Sequence, residues 1–118
     1  MDRQEYYKYL LSERWKAKRS YRIRIDDYKC FCCGIGVIGS SAHVHHLHYK
    51  NAGKEKEEDL ITMCKRCHSQ IHTRESYDMD SALEMKTEIQ DDKFRREKEL
   101  KNRNTDSMYK LSDILNSK

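Results

Sequence analysis

The chain has 118 residues, 37% charged and 36% hydrophobic, with no proline, a mean hydropathy of −1.08 and a formal net charge of +4. That is the length of one ordinary domain, and no stretch approaches the roughly 18 consecutive apolar residues of a membrane span, so no membrane partner is expected. The opening Met1-Asp2-Arg3-Gln4-Glu5 leads into tyrosines and charges rather than an apolar core, so no secretory leader is expected and the protein is placed in the cytoplasm.

Residues 3–20 have no Gly or Pro, and Tyr7, Leu11 and Trp15 recur every four residues with Leu10 beside them. This predicts one amphipathic helix whose stripe packs on the domain centre. From Arg14 to Ile25 there are six basic residues and no acid, with Arg14, Lys18 and Arg22 on one face if the helix runs that far. Such a face is either solvated or turned toward a polyanion. Residues 28–75 then hold all five cysteines, all six histidines and all four glycines. Ala42 to Tyr49 has no breaker and predicts a strand. Asn51 to Glu58 is a polar loop, Leu60 to Met63 a second strand pairing back as a hairpin, and Cys67 to about Arg74 a helix. In the last third, Ala82, Met85 and Ile89 predict an amphipathic helix from about Ser81 to Lys101. A short terminal segment with Leu111, Ile114 and Leu115 follows. The organisation expected is a basic N-terminal helix (1–28), a chemical core (29–75) and a charged helical extension (76–118). That extension is a candidate for a protein partner or for self-association.

So few apolar side chains make a thin core, and the cysteines suggest what supplements it. An odd number of them in a cytoplasmic chain argues against a disulfide framework and for metal. Cys30-Phe31-Cys32-Cys33 and Cys64-Lys65-Arg66-Cys67 each contain C-x-x-C. Two thiolates at that spacing share one knuckle, and two knuckles complete the closed four-sulfur site of a structural zinc on Cys30, Cys33, Cys64 and Cys67. Gly34 after Cys33 suits the left-handed turn a knuckle needs. Cys32 remains, as a small buried hydrophobe or an exposed spare thiol.

Between the knuckles stands His43-Val44-His45-His46-Leu47-His48, and after the second come His68 and His72, four residues apart on one helical face. That is the spacing with which two imidazoles bind one ion from the same side. Imidazoles drawn from a strand and a helix leave coordination positions open, as catalytic sites do.

These residues resemble the HNH endonucleases with a ββα-metal active site and a four-cysteine zinc frame, common in phage and bacterial genomes. The resemblance covers about residues 5–75. Its specific part is Val44-His45-His46-Leu47, then Glu58-Asp59-Leu60-Ile61-Thr62-Met63-Cys64, then Cys67-His68 and His72. It implies that His46 is the general base and that His45, His68 and His72 are ligands of one catalytic divalent metal: Mn²⁺, Ni²⁺, Co²⁺, Zn²⁺ or Mg²⁺. It also implies DNA as partner, 5′-phosphate and 3′-hydroxyl products, and a bacterial or phage-infected cell. Asp59 stands where the family's asparagine usually stands, either bracing the hairpin loop or adding a charge near the metal. With that resemblance, Arg14, Lys18 and Arg22 become expected contacts to DNA phosphate.

The expected architecture is therefore α+β, a small treble-clef-like ββα-metal core flanked by an N-terminal helix and a charged C-terminal helix. The expected activity is metal-dependent DNA hydrolysis, with a catalytically inactive zinc module that binds nucleic acid as the alternative. Strict alternation puts His45 and His46 on opposite faces of the strand, so a bend or twist there is expected, with the phosphate reaching round the strand edge. His43 and His48 have no assigned place in the motif: alternation puts His43 on the face of His45 and His48 on that of His46, so either is a solvent-exposed ring, the favoured reading, or one that lies near phosphate or supports a ligand from behind.

Overall fold

The computed structural model describes residues 1–116, with side chains described as far as Lys101. The chain divides into two compact units, Met1–Thr87 and a second that begins at Glu88.

The first unit opens with two helices rather than one. In α1 (Arg3–Leu10) the Asp2 side chain accepts the Glu5 N–H at 2.8 Å. In α2 (Glu13–Ile25) Ser12 Oγ accepts the Trp15 N–H at 3.2 Å and donates to Tyr9 O at 2.6 Å. One hydroxyl thus closes α1 and opens α2, because serine competes with the helix ladder for backbone groups and favours the cap. The unbroken helix expected over residues 3–20 is interrupted at Leu11 and Ser12, and its stripe is not formed. Tyr7 and Leu11 are 54% and 77% exposed, and the inward residues are Tyr9, Trp15 and Ile23.

A short knuckle follows, closed by a bridge between Lys29 and Gly36 and by the Cys30 N–H bonding to Ile35 O at 2.9 Å. Gly34 sits at φ +76°, the left-handed turn expected after Cys33. The Phe31 N–H reaches Thr62 O at 2.8 Å and ties the knuckle to the hairpin. That hairpin is β1 (Ala42–His46) against β2 (Leu60–Cys64), antiparallel, in register from Ala42 opposite Cys64 to His46 opposite Leu60. β1 ends three residues before the expected Tyr49, where the Leu47 N–H turns to Asp59 O at 2.9 Å. α3 (Lys65–Ile71) starts directly after β2, with Cys64 as its cap accepting the Cys67 N–H at 3.4 Å.

Hairpin then helix is the expected order, and the class is α+β. Tyr9, Trp15 and Ile23 of the helices pack with Val37, Ala42, Val44 and Leu60. Met63, Ile71, Ala82 and Met85 are all 1% exposed or less. Among the described residues α4 (Met79–Asn116) runs on without the break expected near Lys101. The apolar trio Leu111, Ile114 and Leu115 lies outside the residues whose side chains are described. Among the described residues no helix is long and apolar enough to cross a membrane.

Candidate active site and metal centres

The knuckle, the end of β2 and the first turn of α3 bring Cys30, Cys33, Cys64 and Cys67 together, with all four sulfurs within 4.8 Å of one another. Cys33 and Cys64 are 3.8 Å apart, sulfur to sulfur. Two ligands about 2.3 Å from one tetrahedral ion stand about 3.8 Å apart, so the cluster already has the spacing of a metal site. Burial opposes a thiolate at Cys30, but backbone groups of Cys33, Cys64 and Cys32 outweigh it and pull the pKa below the usual thiol range. Burial and the negative charge of Cys30 push Cys67 up. Four crowded sulfurs that cannot all ionise unaided are what a cation relieves. Cys32 stands outside the cluster as a buried hydrophobe, 3% exposed, its Sγ 3.6 Å from Ala82 O. Burial pushes its thiol up to about 12.

The second cluster is His45, His68 and His72, with ligand nitrogens within 4.8 Å of one another. His45 is 1% exposed, and its Nε2–H donates to the Tyr77 carbonyl at 2.8 Å. That bond fixes the tautomer and leaves a lone pair on Nδ1, which is buried and has no partner. An orphaned buried acceptor is rare and costly, and a cation would satisfy it. His68 and His72 bring their Nε2 atoms within 3.2 Å of each other. Two nitrogens about 2.1 Å from a shared tetrahedral ion would stand about 3.4 Å apart. Burial, then the neighbouring imidazoles, lower the His68 pKa to about 4, and burial lowers that of His45. Both rings are therefore neutral, with lone pairs available, at neutral pH. His43 is half-buried rather than exposed, its Nδ1 lying 2.9 Å from His68 Nδ1.

His46 sits on the opposite face of β1, 3% exposed and stacked between two rings. Trp15 lies 4.8 Å away at 17° and Tyr49 5.4 Å away at 19°. Its Nε2 is 2.7 Å from Glu55 Oε2, and Tyr6 Oη is 3.4 Å from its Nδ1. The strand pairs in register through both His45 and His46. A cavity of about 360 Å³ receives His46 from one face of β1 and His43, His68 and His72 from the other, with Tyr6 and Trp15 also in its walls.

Asp59 lies in the turn before β2 and is 3% exposed. One oxygen accepts from Asn51 Nδ2 and from the Lys56 N–H, both at 2.9 Å, and the other pairs with His48 Nε2 at 2.9 Å. Burial would raise its pKa, but the bonds from Asn51, Lys56 and His48 outweigh it and hold the carboxyl below its usual range. These contacts are those of a loop brace. They also engage His48, which sequence alone read as a solvent residue: past the end of β1 the alternation no longer decides where it points.

On α2 the basic face is partly occupied. Lys18 pairs with Glu55 at 3.1 Å, and Arg22 Nε donates to Asp26 Oδ2 at 2.9 Å while its Nη1 donates to Glu57 O at 3.0 Å. Arg14 is exposed. Glu55, Tyr77 and the aromatic stack around His46 were not singled out from sequence. Glu55 sits in the run Lys54-Glu55-Lys56-Glu57-Glu58, where nothing separates it from its solvated neighbours, and Tyr77 acts through a backbone atom that leaves no mark on composition.

A two-stranded hairpin followed by a helix, with an imidazole cluster against it and a four-cysteine frame beside it, defines the ββα-metal class of nuclease fold. Residues 30–74 match the HNH endonuclease family. The chain is 30% identical over 64 residues, 53% of its length and 80% of the relative's, to Anaredoxin from Nostoc sp. (strain PCC 7120 / SAG 25.82 / UTEX 2576). It belongs to the HNH endonuclease family. No solved structure matches it significantly.

Proposed function

We propose that the protein is a metal-dependent endonuclease that hydrolyses DNA phosphodiester bonds in the cytoplasm of a bacterial or phage-infected cell. The observation that carries this reading is the unpartnered Nδ1 of His45 grouped with the imidazoles of His68 and His72, which share a cavity with His46. Phosphodiester hydrolysis needs a base for water and positive charge beside the departing oxygen, and this arrangement offers both. His46 takes a proton from water as the water oxygen bonds to phosphorus. The bond from phosphorus to the 3′ oxygen breaks, that oxygen takes a proton from solvent, and the products are a 5′-phosphate and a 3′-hydroxyl. A divalent ion on His45, His68 and His72 would supply the positive charge. Asp59 holds the hairpin loop that shapes the site, and His43 steadies His68 from behind. Zinc on Cys30, Cys33, Cys64 and Cys67 would fasten the knuckle to α3.

Arg14, Lys18 and Arg22 mark the face for backbone phosphate, with Arg14 the most direct contact because Lys18 and Arg22 are tied to Glu55 and Asp26. In this reading residues 1–28 form the DNA-facing lead-in, 29–75 the nuclease, and 76–118 an extension for a protein partner or a second copy. The test is nicking of supercoiled plasmid by the purified chain with Mn²⁺, Ni²⁺, Co²⁺, Zn²⁺ or Mg²⁺ added, alongside His46→Ala. Wild type should nick, and His46→Ala should lose about 10² to 10⁴ in rate while keeping metal and DNA binding. Absence of cleavage with every metal would leave a module that binds nucleic acid without cutting it.

A further inference from the structure

The residues that carry the family resemblance do not include Glu55, yet it is among the most thoroughly engaged side chains near the site. Its carboxylate is 1% exposed, and burying such a group is costly unless it is paired and hydrogen-bonded. The two oxygens are divided between different tasks. Oε1 accepts from Tyr9 Oη at 2.6 Å and Lys18 Nζ at 3.1 Å, which ties the loop to α1 and α2. Oε2 makes its 2.7 Å contact with His46 Nε2. A brace between loop and helices needs only the first oxygen. The second is aimed at the one histidine to which the nuclease reading gives the proton.

That aim decides which nitrogen of His46 can work. Burial alone would raise the Glu55 pKa, but the bonds from Tyr9 and His46 outweigh it, so the group is an anion and can only accept. Nε2 must then carry the hydrogen, and the lone pair falls on Nδ1, the atom that faces Tyr6 Oη. The stack of Trp15 and Tyr49 fixes the plane of the ring but not which way round it lies in that plane. Turning the ring over would bring a carbon to Glu55 and lose the charge-assisted bond.

We propose that Glu55 is the positioning residue of the general base: it holds the Nε2–H of His46, leaves Nδ1 as the atom that takes the proton from water, and its negative charge stabilises the imidazolium so formed. The inference rests on the nuclease reading of His46. It also gives Lys18 a second meaning, since this side chain of the basic face is the counter-ion of the positioning carboxylate.

The experiment compares wild type with Glu55→Gln, which keeps the shape and the bond to Tyr9 but can offer His46 either a donor or an acceptor. ¹⁵N-edited NMR of the full zinc-loaded chain at pH 7.5 reads the tautomer. Wild-type His46 should show an unprotonated Nδ1 and a protonated Nε2, and Glu55→Gln should shift a measurable fraction to the opposite tautomer. In plasmid nicking, kcat should fall about 10 to 10²-fold, with KM for DNA and affinity for the catalytic metal unchanged, the size of loss seen when the partner behind a working histidine is removed. A His46 with hydrogen on Nδ1 in wild type would overturn the proposal, as would a Glu55→Gln protein that melts lower but keeps both tautomer and kcat. The spectrum does not depend on cleavage. An inactive wild type would sink the nuclease reading, while the tautomer alone decides whether Glu55 sets the ring.

Discussion

Replacing Asp59 by alanine and by asparagine separates a brace from a charge. Its side chain is 5% exposed, and one oxygen holds two donors, Asn51 Nδ2 and the Lys56 N–H, each at 2.9 Å. A hydrogen bond to a charged acceptor contributes about 1.5–3 kcal/mol, so at the low end these two contribute about 3 kcal/mol. The His48 pair is 38% exposed on the histidine side, and solvent screening holds its share to under about 1 kcal/mol. Asp59→Ala should therefore lose about 3–4 kcal/mol. At roughly 4–8 °C per kcal/mol for a unit of this size, that lowers Tm by roughly 12–32 °C. Asp59→Asn keeps a carbonyl oxygen for Asn51 and Lys56 and offers His48 a donor, so only the charge assistance disappears, a loss of about 1 kcal/mol. Thermal melts of the zinc-loaded protein read the stability, and plasmid nicking reads the site. The asparagine variant should cut within a few-fold of wild type. If it melts like wild type but loses cleavage as severely as the alanine variant, Asp59 works through its charge near the metal and the brace argument is wrong.

Cys64→Ser should abolish tightly bound zinc and leave unfolded or insoluble protein, whereas Cys32→Ser should keep zinc and stay within about 1 kcal/mol, because a serine hydroxyl can still face Ala82 O. Metal analysis and circular dichroism check both, and loss of zinc in Cys32→Ser would reassign the ligands. Nicking should reach half-maximal rate at lower concentrations of Mn²⁺, Co²⁺, Ni²⁺ or Zn²⁺ than of Mg²⁺, since three imidazoles suit borderline ions and Mg²⁺ prefers oxygen; equal activity at micromolar Mg²⁺ would contradict the ligand set. Asp26, Glu55 and Asp59 all have pKa values below their ordinary ones in the fold. The unfolded chain then binds more protons than the folded one, so their stabilisation is whole above the unfolded carboxyl range near pH 4–4.5 and disappears as pH falls through the lower folded values. Denaturant titrations from pH 6 down to pH 2 should show the loss, and a flat profile would mean that these bonds contribute nothing. Arg14→Gln should weaken binding to all DNA sequences alike and lower the salt slope by about one unit, while Lys18→Gln should mainly lower Tm by unpairing Glu55. An unchanged slope for Arg14→Gln returns that residue to the solvated surface.

The parts of this molecule legible in sequence are those whose partners are close along the chain. Cys30 with Cys33, Cys64 with Cys67, and His68 with His72 are pairs within one turn of backbone, where spacing alone places both ligands on one side. The hairpin followed by α3 was legible for the same reason, as two short apolar runs with a polar loop between them. What surrounds His46 was not. It is assembled from Tyr6, Trp15, Tyr49 and Glu55, which lie on three separate segments and meet only in the folded chain. The N-terminal stripe misled because a four-residue repeat assumes one continuous helix, and a single serine hydroxyl at position 12 was enough to restart the count. For His43 alternation supplied the face shared with His45 and left open an exposed ring or one supporting a ligand, and only the packing of α3, which brings His68 Nδ1 to 2.9 Å from it, decides between them.

Cys67 and His68 are consecutive residues of α3, so one peptide bond joins the sulfur cluster to the imidazole cluster. Dependence between the two centres then runs in one direction. If both sites hold ions as proposed, losing the one on the imidazoles leaves the sulfur cluster and its cap on α3 in place. Emptying the sulfur site releases the first turn of α3, and with it the angle at which His68 and His72 are presented. On the nuclease reading proposed above, a newly made chain would have to acquire its sulfur-bound ion before it could gather a second one productively. If that ion is zinc and the protein cuts DNA as proposed, freshly synthesised chain in a zinc-starved cell would be harmless to the DNA around it.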